Sequence, residues 1–427
     1  MKKLVCLVLA LTILCSVTAA LAETRIDGTE KRNIKIHEAG LNTDPQEMVK
    51  NLVSPTTGRN LAEISVPDNF AGAAATGIYQ PVMAQISNES NGVGVNNGKL
   101  YAIAPINGSY ADIVYMAPQK YGGRQTRMTM IFSDTIPDYI GFIRSTRLTH
   151  CRIRQEWDCA FITSGYSSAD VPGEWNRLGV KNPAGKRTEE DPGIVYVGDY
   201  NATKFYGKYV WRLSGIADSN SELFEAAKIA QFVVPKDHVP ANHTFLFSDE
   251  LPEGGDDASI VYVTFGHVNE SDCRLEYDEE TQSYIRYVYV KNMEDQPYCE
   301  ELLVNPEIKA VKDKNGNKVK KVVAEDRVVG EKITFNNVIV QSISIKWKSG
   351  LRPDPKLVGE GNADYFMGGK HYAGVWQRKD DNSRTVYYDA NGEELQLQRG
   401  RTLIILMDYN EKIEEGGKKD TAHVSYE

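Results

Sequence analysis

Tyr139-Ile-Gly-Phe-Ile-Arg-Ser-Thr-Arg147 carries both structural habits of the N-terminal half of this chain. The run 139–143 is apolar and β-branched and reads as a strand. Ser145 is a favoured helix-capping type, and from 145 to about 157 Leu148, Cys151 and Ile153 fall toward one side, so the spacing predicts a helix. A strand running into a helix mouth presents free N–H groups and the positive end of the helix dipole. Arg144 and Arg147, three residues apart, lean over that end. With Arg127 and the backbone near Ser145 they predict a pocket for a carboxylate or phosphate. The alternative is that these arginines pair with local acids such as Asp138 or Asp112.

Working outward, the runs 82–86, 111–115, 127–132 and 159–163 are also strand-like. Asn91-Gly92, Asn97-Gly98 and Asn107-Gly108 supply the residues that tolerate positive φ in tight reversals. Ser219-x-x-Glu222 has the form of a capping box, followed by Leu223, Phe224, Ala227 and Ala230 and halted at Pro235, which predicts a second helix. After Gly254-Gly255 the pattern becomes strongly β, with runs at 259–265, 284–290, 318–323, 338–347, 372–376, 385–388 and 402–407. The fold class expected is α+β. A mixed α/β domain spans 66–235, a connection 236–255 and a β-rich domain 256–409. Residues 23–65 read as a polar tail and 410–427 as a charged, fraying one.

The compartment is read from the other end of the chain. Lys2 and Lys3 precede an apolar stretch from 4 to 17, and Ala20-Leu21-Ala22 closes it, the order of a secretory signal peptide cleaved after Ala22. Ile13 and Leu14 before Cys15 make a poor lipobox. The expectation is a soluble extracytoplasmic protein, secreted or wall-associated, with no transmembrane segment in the mature chain. The formal charge of −9 becomes −11 once Lys2 and Lys3 are removed (−9 − 2), which argues against nucleic acid as a primary partner. Tyr outnumbers Phe by 23 to 12, a bias that suits half-exposed sheets. Cys151, Cys159, Cys273 and Cys299 permit the bridges Cys151–Cys159 and Cys273–Cys299 or, equally, four buried thiols.

No nucleophile elbow, H-E-x-x-H or P-loop occurs, and the seven histidines form no ligand pair at helical spacing. No metal and no cofactor is expected. Asp313-Lys-Asn-Gly-Asn317 and Asp389-Ala-Asn-Gly-Glu393 superficially resemble calcium loops but lie between strand-like runs, and read as hairpin turns.

The order of several blocks resembles the YerB-like family of exported bacterial proteins. These are Pro55-Thr-Thr-Gly58, Gln80-Pro-Val-Met-Ala-Gln-Ile-Ser-Asn88, Ala111-Asp-Ile-Val-Tyr115 and Ile140-Gly-Phe-Ile-Arg-Ser-Thr-Arg147, then Tyr277–Arg286, Asn337-Val-Ile-Val-Gln341, 370–376 and 400–404. The resemblance implies export, often as a lipoprotein, and an N-terminal mixed domain before a β-rich one, without implying an activity. Met116 stands where relatives usually have glutamate, and histidines frequent near Thr163 and Tyr196 in relatives are absent. The reading is therefore a binding protein for an anionic wall component, with Arg127, Arg144, Ser145 and Arg147 at the site and no positive case for an enzyme. The alternatives are an enzyme acting on wall or surface polymer, using Asp112 and Tyr115 as acid–base groups, and a scaffold that docks an envelope protein through the tyrosine-rich β-domain.

Overall fold

A computed structural model of the chain describes residues 23–40, 43–90, 92–119, 125–179, 196–197, 209–214, 221–233, 243–265, 272–290, 293–312, 315–348, 352–415 and 418–427. The signal-peptide reading, Asn91, Ser219 and the glycine pair Gly122-Gly123 that precedes the 127–132 run lie outside them. No described helix is long and apolar enough to cross a membrane.

The protein is mostly β. The central sheet runs in the order Lys370–Arg378, Gly359–Met367, Asn337–Ser342, Thr402–Met407, Ile113–Pro118, Thr126–Phe132, Val82–Ser87, Ala160–Ser164. Strands from both halves of the sequence share it. Thr402–Met407 and Ile113–Pro118 meet in parallel, Thr402 opposite Ile113 and Ile405 opposite Met116. Successive residues point to opposite faces, and both faces are covered. Val338, Val340, Val114 and Met116 enter one core, whereas Ile339, Ile113 and Tyr115 enter the other. Two-sided burial is why these strands read as unbroken apolar runs. The described helices all precede residue 234, while the sheet itself takes no account of that boundary.

Several sequence expectations are corrected. The helix expected from Ser145 begins at Leu148 and ends at Trp157. Thr146 is held extended, its N–H donating to Gly165 O at 2.9 Å and its hydroxyl 2.6 Å from that of Thr163, which delays the helix. The capping-box helix is also displaced. Glu222–Glu225 is a strand between Val210–Leu213 and Tyr139–Gly141, and the helix is Ala226–Val233. Leu223 and Phe224 bury into different clusters, one on each face, and an apolar pair alone does not distinguish that from a helical stripe.

The presumed tails are structural. Thr24–Arg25 pairs with His423–Tyr426, which itself pairs with Ile260–Thr264. Further along, Ser54 and Thr57 donate to Asp134 at 2.5 and 2.6 Å, and Thr56 donates to Asp112 at 3.0 Å. Neither proposed disulfide is present: all four cysteines are buried free thiols. Burial pushes the Cys159 and Cys299 thiols up to about 12, which leaves them protonated and poor nucleophiles. Gly316 and Gly392 sit at positive φ in reversals, in accord with the hairpin-turn reading of both asparagine–glycine pairs.

One buried acid should report on pH. Glu300 is fully buried and accepts from the Ser109 N–H and hydroxyl at 2.7 and 2.6 Å. Burial raises it from 4.5 to about 7. A raised carboxyl favours the fold below its unfolded value, and that contribution fades as pH climbs through the folded one. Glu300→Gln is therefore expected to remove about 3 kcal/mol of the stability change between pH 4.5 and 7. Denaturation midpoints of parent and variant at pH 5 and 8 measure it. Parallel pH dependences would contradict the assignment.

Candidate functional site

Three of the residues singled out from sequence come together where the sheet meets the Leu148–Trp157 helix. Arg127 stands on Thr126–Phe132, opposite Ser87 on one side and Ala117 on the other. It is nearly buried, and its Nη1 donates to the Ser145 carbonyl. Its Nε has no hydrogen-bond partner. Arg147 directly precedes the helix in extended conformation and donates through Nη1 to Thr146 O at 2.9 Å. Arg144 pairs with Glu89 at 3.1 Å.

The charges sense one another. Burial pulls the Arg127 pKa well below its ordinary value, and the Arg147 and Arg144 guanidiniums add to the pull against Glu89. Arg147 is lowered by burial, then by Arg144 and Arg352, with Asp170 opposing. Among the described residues neither Arg127 nor Arg147 makes an ion pair. The other acid nearby, Asp170, is engaged by Arg352, with Lys348 at 4.0 Å. Arginines brought together without matching acids are costly unless a ligand anion completes them.

His150 belongs to this group, although the sequence offered no ligand spacing for any histidine. It is completely buried, and its Nδ1 accepts the Arg147 backbone N–H at 2.8 Å. That bond places the proton of the neutral ring on Nε2. Burial first, then Arg127 and Arg147, hold the pKa well below the usual histidine value. Nε2 itself has no partner. No residue-spacing motif links His150 to Arg127, twenty-three positions earlier; only the packing of helix on sheet joins them.

The other expected site residues are placed differently. Ser145 contributes its carbonyl, an acceptor that grips Arg127, and is not a helix cap. Tyr115 is buried, and its hydroxyl accepts from the Trp157 indole at 2.8 Å, so it is a core residue. Asp112 lies away from the arginines, in the Ser54–Thr57 network. One of its oxygens accepts the Ser133 and Asp134 N–H groups at 2.7 and 2.9 Å. Burial first, then the neighbouring Asp134 carboxylate, raise its pKa well above the usual range. Asp112 and Asp134 border a cleft of about 920 Å³ that also takes in Arg59, Tyr110 and Arg401. The described residues contain no cluster able to hold a metal ion.

Comparison with known proteins agrees with this architecture. Residues 79–197 match the N-terminal domain, and residues 261–404 the C-terminal domain, of the protein of unknown function DUF3048. No curated protein matches the chain. The crystal structure of the YerB protein from Bacillus subtilis is similar in fold, with a TM-score of 0.53 over 83% of this chain and 96% of that one, at 16% identity. With both domains present in order and a shared fold across most of its length, the chain belongs to the YerB-like family, whose N- and C-terminal domains have no assigned function.

Proposed function

We propose that this chain is an exported envelope protein that binds an anionic component of the cell wall through Arg127, Arg144 and Arg147. The observation that carries the reading is the meeting of these guanidiniums with no acid paired to Arg127 or Arg147 among the described residues. In a chain of net charge −9, such a local excess of positive charge favours an anion at one place while the remaining surface repels nucleic acid. The lysine-led apolar start of the chain supports export, and the arginines supply bidentate donors for phosphate or carboxylate oxygens.

The test is retention of the protein by purified wall material. Arg127→Gln with Arg147→Gln is expected to weaken retention by at least about tenfold, since two charge-assisted contacts are removed. Retention unchanged in a variant with native circular dichroism would dispose of the reading. An enzymatic role on surface polymer would have to sit elsewhere, at the cleft bordered by Asp112 and Asp134, because Tyr115 is committed to Trp157. Turnover of labelled muropeptides separates that alternative from simple binding.

A further inference from the structure

The arginine site contains donors and charge in a ratio that selects among anions. Arg144 is paired with Glu89, which leaves the two unmatched positive charges of Arg127 and Arg147 among the described residues. Alongside them stand two buried donors without a partner, Nε of Arg127 and Nε2 of His150. The imidazole cannot turn over to present its other nitrogen without abandoning the Arg147 N–H that Nδ1 accepts. The ring thus holds a fixed neutral donor, near enough to the Arg127 and Arg147 charges to sense both.

A carboxylate or a phosphodiester brings one negative charge. A phosphate monoester brings nearly two near neutral pH and three terminal oxygens. Two unmatched cations and two idle buried donors correspond to the monoester, and a monoanion would leave one cation uncompensated in a desolvated place. Resting on the anion-binding reading above, we propose that the site takes a phosphate monoester end group, with Arg127 and Arg147 gripping its oxygens and the His150 Nε2–H donating to the third. Arg144 and Arg147 are only partly buried, and an end group on a longer molecule would have to approach from their side.

The decisive measurement is titration calorimetry of the full chain at pH 7.5 with glycerol 3-phosphate, glycerophosphoglycerol and acetate. The monoester is expected to bind at least about tenfold more tightly than the diester or the carboxylate. His150→Asn retains a short acceptor for the Arg147 N–H but removes the distal donor. It should lower monoester affinity several-fold to tenfold and so narrow the preference for monoester over diester. Arg147→Gln, at a partly exposed position, should erase the monoester preference even if a change at buried Arg127 compromises folding. Equal affinity for monoester and diester would overturn this inference while leaving anion binding intact. Binding of none of the three probes, together with unaltered wall retention by the arginine variants, would overturn both.

Discussion

Arg378→Ala is expected to lower the stability of the protein by about 3–5 kcal/mol, because it strands a buried carboxylate. Arg378 is 1% exposed, and its Nη1 meets Glu156 at 2.9 Å. The remaining guanidinium nitrogens donate to the carbonyls of Arg152, Asp380, Asp381 and Ser383 at 2.7 to 3.2 Å. The second oxygen of Glu156 accepts the Thr385 N–H at 2.7 Å. The pair therefore ties the Leu148–Trp157 helix to the Lys370–Arg378 strand and the loop beyond it. Glu156→Gln keeps an acceptor for Thr385 and removes the charge. Combining it with Arg378→Ala should recover part of the loss, giving a coupling of about 1–3 kcal/mol in a double-mutant cycle. Guanidinium denaturation of the four proteins measures this. Strictly additive effects would contradict a coupled buried pair.

Two replacements at Arg286 should behave in opposite ways. Arg286 is fully buried among hydrophobic side chains, with Nη2 donating to Asn88 at 2.9 Å and the guanidinium 4.5 Å above the Tyr298 ring. Its Nε has no partner, and among the described residues it makes no ion pair. Arg286→Ala removes the long stem, the cation–π contact and most of the packing against Met116 and Met128, and is expected to cost about 3–5 kcal/mol. Arg286→Met fills much of the same volume without a buried charge, and should stay within about 1 kcal/mol of the parent. Calorimetric melting of both variants decides the matter. An equally large loss in the methionine variant would mean that the charge itself is required there.

Legibility followed local physics. The hairpin at Asn97-Gly98 was readable because both residues occupy positive φ, a demand few residue types meet. The central strands were readable because burial on both faces needs uninterrupted apolar residues, as at 338–340 and 403–407. The long Gln296–Lys312 strand was missed, since its outer half is exposed and Asn305-Pro306 interrupts it with residues that usually end a strand. The tails were misread for a related reason. Ser54, Thr56 and Thr57 look like solvent-facing residues until Asp112 and Asp134 are brought to them from far along the chain.

The amino-acid order alone determined the β-rich character of the second half, the family membership of the chain, its acidic balance and the presence of Arg144 and Arg147 beside a strand-to-helix junction. These depend on residue type and near-neighbour spacing, which a linear reading captures. Only the tertiary structure decided that Arg127 reaches that junction, that His150 joins it with an idle Nε2–H, and that Asp112 and Tyr115 do not. Side-chain convergence depends on strand register and on the docking of one helix against a sheet, and a single-residue shift in either would send these groups to opposite faces.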